Sequence, residues 1–286
     1  MRTELENLRL ALTSPERKSP TTIENYLIAA RKFLNFTGNK LPPSKANLKR
    51  FFAQQKENSI TSRTQNYYFS VIRKLYQANS WLWPLSKKDR PEISEKLLAT
   101  AFTVDEIKTL IKNRGNYSKE ECFYLALATT FGMTGLELAK VENKDIKSGK
   151  LYIKPIRHGT GRWVVVPGEI MPALKEYHPK QLSRSTVSAI FKRILTKSAL
   201  EVRRGYGWYS IRITLWERLK VALAQNELPL TLADSYLRLS KGSIQTMYPH
   251  RLSATVYKDI KDVLEEPYAL DRLVLPIHPF IPLWED

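Results

Sequence analysis

Cysteine is almost absent from this chain of 286 residues. Cys122 is the only one, which excludes an intramolecular disulfide and any cysteine-based zinc cluster. Histidine is scarce as well: His158, His178, His250 and His278 show no metal-ligand spacing, so neither a metal nor a cofactor is expected. Long hydrophobic runs are missing. The longest mostly apolar stretch, Phe123 to Met133, falls short of the ~18–20 residues that a membrane span requires. No membrane contact is expected. No basic-then-apolar leader with a small-residue cleavage site opens the chain, so an intracellular, cytoplasmic or nucleoid location is expected. Acidic residues are the last shortage: 28 Asp+Glu face 46 Lys+Arg, a formal net charge of +18.

What is present belongs to a folded protein. Hydrophobic residues make up 43%, close to the usual share, and the length suits two domains that each bury a core. A positive excess of this size implies a polyanionic partner, because neutralised phosphates release counterions and supply affinity independent of sequence. Colloidal solubility and ribosome association are the alternatives at this point. The charge is uneven. Residues 1–91 carry 17 Lys+Arg against 6 Asp+Glu, a net of +11, and the longer remainder carries 29 against 22, a net of +7.

Helix signals fill the first third. Thr21 to Glu24 reads as a capping box, and Ile23, Tyr26, Leu27, Ala30 and Leu34 recur on one helical face. Gly38 is placed to end that helix. Another helix starts near Ser44, and a longer one covers about Thr61 to Ala78. Its other face carries Arg63, Gln65, Asn66, Arg73 and Lys74, a cationic and amide-bearing surface suited to a phosphate backbone; a merely solvated face is the alternative. Pro84, Ser86 to Arg90 and Pro91 read as an exposed connection, which places the boundary between a domain 1–91 and a domain 92–286.

Beyond it, Thr103 to Glu106 and Ser118 to Glu121 are capping boxes opening two further helices. Leu151 to Ile156 and Trp163 to Val166 predict a β-hairpin whose tip, from Arg157 to Gly161, is basic and glycine-bearing. Helices follow near Ser185 to Lys197, Ile211 to Gln225 and Ser253 to Leu264. The proline-rich, apolar tail 267–286 is expected to be extended. The predicted class is mainly α with a small β-sheet in the second domain.

This order of elements resembles the tyrosine recombinases and phage integrases, in which a basic helical core-binding domain and a helical catalytic domain clamp duplex DNA. Several segments carry the resemblance, from about Ser19 to Leu264. Thr21 to Tyr26 with Phe33 to Phe36 looks like the family's first DNA-binding helix, and Phe102 to Ile107 like the opening of its catalytic domain. Phe131 to Leu138, followed by Val141, Asp145 and Ile146, is similar to the segment T-G-L-R-x-S-E-L…L…D-I. Trp208 to Ile213 occupies the H-x-x-R box, and Leu237 to Tyr248 has the spacing from the third box to the nucleophile. The resemblance implies tyrosine attack on a DNA phosphate through a covalent phosphotyrosine. Two arginines then hold the non-bridging oxygens, and a hairpin lysine and histidines move protons.

Residue by residue, the resemblance puts Tyr248 at the nucleophile, Arg212 at the second arginine and Glu137 at the family's glutamate. The first arginine aligns with Thr134, however, and the box histidine with Tyr209. Leu239 stands at the third box, with Arg238 and Lys241 beside it. The hairpin lysine has no clear counterpart among Arg157, His158, Thr160 and Arg162, with Lys154 further back. One missing oxyanion donor costs about 10²- to 10³-fold in rate, and threonine cannot reach as a guanidinium does. Arg157, Arg162, Arg203 and Arg204 are candidates to compensate.

Tyr248, Arg212 and Tyr209 are therefore the catalytic candidates if strand cleavage survives. Arg63, Arg73, Lys74, Arg157, His158, Arg162, Arg203, Arg204, Arg212, Arg238 and Lys241 are the DNA-binding candidates. For Arg212 the alternative is a structural ion pair with Glu137 or Asp145; Trp208 and Trp216 beside it read as core. The leading expectation is a degenerate recombinase-fold protein gripping double-stranded DNA in an architectural, regulatory or segregation role. An active integrase using Tyr248, or an accessory subunit of a heteromeric recombinase, are the alternatives. The family also implies self-association on DNA through the tail 267–286, against the alternative that the tail folds back on its own domain.

Overall fold

The computed structural model describes residues 2–14, 18–38, 40–91, 100–156, 161–201, 203, 205–238 and 268–285. The chain divides into two compact units, Met1–Leu97 and Leu98–Asp286.

Among the described residues, the first unit holds four α-helices, α1 (Arg2–Thr13), α2 (Pro20–Phe36), α3 (Lys45–Glu57) and α4 (Ser62–Ala78). Helix α1 escaped the sequence reading, although Leu5, Leu8 and Leu12 recur at helical spacing and are buried in the core. The start of α2 differs from the expected box at Thr21. Ser19 is the N-cap, its hydroxyl accepting the Thr22 amide at 3.3 Å, and Pro20 opens the helix, because its fixed φ and missing N–H suit the first position. Ser44 and Thr61 cap α3 and α4. Phe51 centres an aromatic core, meeting Phe33, Phe36, Phe52 and Tyr68 at ring-centroid distances of 5.2–5.6 Å, the edge-on geometry that ring quadrupoles favour.

The second unit surrounds two helices. Helix α6 (Lys119–Phe131) is buried from Phe123 through Phe131, as expected for a helix apolar on every face. Helix α10 (Trp208–Gln225) packs against it, with Trp208 and Trp216 both in the core. Around them lie α5 (Val104–Lys112), α7 (Gly135–Leu138), α8 (Met171–Lys175), α9 (Arg184–Lys197) and α11 (Thr231–Tyr236). The Thr103 and Ser118 capping boxes stand as read from the sequence. The hairpin is part of a three-stranded antiparallel sheet in the order β1 (Ile146–Lys147), β2 (Lys150–Ile153), β3 (Arg162–Val165). Strand β1, only two residues long, was too short to show alternation.

The expectation of an extended tail fails. Residues 269–284 form α12 (Ala269–Val274) and two 3₁₀ turns, Leu275–Ile277 and Ile281–Trp284. Pro276 and Pro282 sit in the first two positions of those turns, where the absent N–H is no loss. Leu270, Val274, Phe280 and Trp284 enter the core of their own unit. His278 locks the segment: its Nε2–H donates to the Thr130 carbonyl at 3.0 Å, and its Nδ1 accepts the amides of Phe280 and Ile281, each at 3.2 Å. Burial drives the His278 pKa down to about 3, against a smaller upward pull from the Thr130 carbonyl. The ring is neutral.

Candidate functional site

The site grows out of the end of α6. Gly132 closes that helix in the left-handed region at φ +56, and a Cβ there would lie 2.5 Å from Leu237 Cδ2; only glycine permits both the turn and the approach. The chain then turns directly into α7. Thr134 caps α7: its hydroxyl accepts the Glu137 amide at 3.4 Å, while its own amide donates to Glu137 Oε2 at 2.7 Å. The residue aligned with the family's first arginine is therefore occupied in backbone capping.

The carboxylate of Glu137 is the hub. Arg212, on α10, donates from Nη1 to Glu137 Oε2 at 3.0 Å and to the Gly132 carbonyl at 3.1 Å, and from Nη2 to the Leu237 carbonyl. Its side chain is 7% exposed. Arg238, just past α11, reaches Glu137 Oε1 from Nε at 3.2 Å, with its other nitrogens on the Phe131 and Tyr236 carbonyls at 3.2 and 3.3 Å. Two guanidiniums thus share one carboxylate. Burial pushes the Glu137 pKa up, but Arg238, Arg212 and the Thr134 amide outweigh it and hold the group below the usual carboxylate value. Burial pulls Arg212 down to about 10, Glu137 restoring part of the loss and Arg238 opposing it. It stays charged at neutral pH. Its Nε, buried, has no hydrogen-bond partner among the described residues.

A third guanidinium stands close by. Arg162, at the start of β3, donates from Nη2 to Asp271 at 3.3 Å and lies over the Tyr236 ring, 5.4 Å from its centroid. Asp271 also accepts the Val165 amide at 2.9 Å. Arg162, Arg212 and Arg238 therefore surround the end of α11, with Glu137 and Asp271 as their carboxylate partners.

The remaining candidates are placed individually. Tyr209 is 41% exposed, one turn before Arg212 on α10. Arg203 is surface-exposed and pairs with Glu106 at 3.3 Å. Lys154 is held by Glu142, by Asp145 at 2.7 Å and by the Lys140 carbonyl at 2.9 Å, so Asp145 serves the hairpin base and Glu137 alone of the two acids pairs with Arg212. On α4, Arg63 and Arg73 are exposed and Lys74 is half-buried. Eleven positions apart, Arg63 and Lys74 fall on one helical stripe. The amides expected beside them point elsewhere. Asn66 is buried, accepting from Arg90 at 2.8 and 3.0 Å and donating to the Pro91 carbonyl at 2.8 Å, and Gln65 donates to the Ile60 carbonyl. Tyr248, Arg157, His158, Arg204, Lys241 and Leu239 lie outside the described residues, as does the expected helix at Ser253 to Leu264.

No protein-family model and no curated protein matches the sequence. Solved structures do. A lambda integrase fragment, a dimer bound to a COC' core site, superimposes with a TM-score of 0.65 at 14% identity, covering 89% of this chain and 99% of that one. XerH recombinase on a palindromic difH substrate, a post-cleavage complex, gives 0.60 at 15% identity over 86% and 80%. The Tn1549 transposon integrase with transposon right end DNA gives 0.59 at 11% identity over 91% and 99%. The chain has a tyrosine recombinase/integrase-like fold.

Proposed function

We propose that this protein binds double-stranded DNA through its two basic domains, 1–91 and 92–286, and that its recombinase-type site is degenerate. The role it fits is architectural, regulatory or in segregation. The observation that carries the reading is the state of Thr134 and Arg212. Where the resemblance calls for a first arginine, Thr134 is a helix cap, and the second arginine is buried against Glu137. A guanidinium tied to a carboxylate and two carbonyls supports the fold before it supports a transition state, and one absent oxyanion donor removes about 10²- to 10³-fold in rate. DNA contact then falls to Arg63, Arg73, Lys74, Arg157, His158, Arg162, Arg203, Arg204, Arg212, Arg238 and Lys241, acting mainly on phosphates. The neighbours' DNA complexes support this partner. The tail 268–285 buries its apolar residues in its own unit, which favours an intramolecular role over self-association on DNA.

One observation favours the second reading, an active integrase with Tyr248 as nucleophile. Arg238 brings a second guanidinium to the carboxylate that Arg212 holds, a charge that the alignment alone did not supply at Thr134. A suicide substrate carrying a nick beside the cleavage position separates the two. The degenerate reading expects no covalent protein–DNA adduct from the wild-type chain. An adduct that disappears in Tyr248→Phe and in Arg238→Ala overturns it.

A further inference from the structure

The sheet has two unlike faces. Leu151, Ile153 and Val164 point inward and are fully or almost fully buried, as alternation requires. The opposite face carries Lys147 opposite Lys150, Lys150 opposite Val165, and Tyr152 opposite Trp163. Trp163 is 42% exposed, and its ring lies against Tyr152 with centroids 5.3 Å apart at 46°. Tyr152 is itself fixed from below: a Cβ at Gly161 would fall 2.3 Å from its hydroxyl oxygen and 2.9 Å from Pro155 Cδ, so the absent side chain leaves room for the ring. Lys150 lies over the ring of Tyr268 at 4.3 Å. The result is an aromatic step whose outer ring, Trp163, is exposed. Lysines stand one row away, about 7 Å along the strands.

We propose that this face is a stacking platform for an unpaired DNA base, with Trp163 as the ring on which the base lies. The inference rests on the DNA-binding reading but concerns a different surface from the arginine cluster. The occupant follows from size and charge. One tryptophan and one half-buried tyrosine offer far less apolar area than the roughly 800 Å² per partner of a stable protein interface, and an apolar partner would desolvate Lys147 and Lys150. A nucleotide meets both demands, because every base presents a π-face and every linkage a phosphate for the lysines. Trp163 lets the protein register a gap, a frayed end or a melted strand within the duplex it grips.

The test uses the full-length chain and fluorescence anisotropy with two labelled DNAs, one an intact duplex and one the same duplex with a short single-stranded gap. Trp163→Ala is expected to weaken the gapped complex by roughly 5- to 150-fold, the effect of losing one base–aromatic stack, with duplex affinity unchanged within about 2-fold. Trp163→Phe keeps most of the gap affinity. Equal loss on both DNAs, or no loss on either, overturns the platform. Duplex binding with Trp163 inert removes the platform and keeps the duplex reading; Trp163-dependent binding to gapped DNA without duplex binding does the reverse. A Trp163-dependent dimer in sedimentation, with DNA affinity untouched, assigns the face to a second copy and also overturns the proposal.

Discussion

Replacing Glu137 by glutamine keeps the shape of the side chain and removes its charge, which makes it the sharpest probe of the arginine cluster. Glu137 and Arg212 are 9% and 7% exposed at the side chain, so solvent does little to screen them. The amide leaves Arg212 and Arg238 facing each other across a neutral group, and places an NH₂ donor where one of them now donates. Removing one partner of a buried pair costs about 3–5 kcal/mol. For a unit of this size, at roughly 2–4 °C per kcal/mol, the melting temperature should fall by about 6–20 °C. Urea unfolding of the full chain, with hydrogen exchange followed in α6 and α10, assigns the loss to the second unit rather than to the helical one. A second variant tests the charge balance of the cluster. Glu137→Gln with Arg212→Met removes the carboxylate and one of the two guanidiniums that share it, leaving Arg238, and should recover part of the lost stability, because two cations no longer face each other across a neutral amide. A fall in melting temperature under about 2 °C, or a double variant no more stable than Glu137→Gln alone, refutes the placement of this carboxylate as the hub.

Acid should loosen the tail. The folded His278 binds its proton only near pH 3, whereas the unfolded ring binds near 6.5. Its contribution is thus complete above pH 6.5 and declines by about 1.4 kcal/mol per pH unit below it; His278→Leu should lack this component of the slope between pH 6.5 and 4. Gly132→Ala forces a Cβ into the left-handed turn and against Leu237, and should cost at least about 1–2 kcal/mol in urea unfolding. Arg63→Ala on α4 should weaken binding to unrelated duplexes about equally, and lower the magnitude of the salt slope by about 1 in a log–log titration; a loss confined to one DNA sequence would indicate base readout instead.

Much of the architecture could be read from the chain because its signals are local. The Ser44, Thr61, Thr103 and Ser118 caps each depend on a side chain and a backbone amide three residues apart, and the apolar runs of α6 and α10 need no knowledge of their partners. The tail defied the same reasoning. Its prolines and apolar residues give no period, and its form is set by His278 reaching Thr130 across 148 positions, a pairing invisible to pattern. The amides of α4 misled for the opposite reason: Asn66 sits among polar neighbours in sequence, but its partner Arg90 arrives from the connecting segment. At the site, Arg212 and Glu137 were identifiable from motif spacing. That Arg238 converges with them was not, because nothing in a linear alignment says which way a residue beyond a helix end will point.

Arg238 itself sits in a strained backbone. It adopts φ +56, a left-handed conformation that costs a residue with a Cβ on the order of 1–2 kcal/mol. Glycine would adopt it freely. An arginine persists in such a backbone when its side chain returns more than the strain takes, and here it returns three hydrogen bonds, one of them to the buried Glu137. Position 238 therefore brings a positive charge from the end of α11 to the Glu137 carboxylate of α7. Arg238→Gly weighs the two terms against each other, because it relieves the backbone and removes the guanidinium together. If the backbone strain dominates, the variant is more stable than the wild type. If the shared carboxylate dominates, it is less stable, and the two-guanidinium cluster is what holds this end of the helix in place.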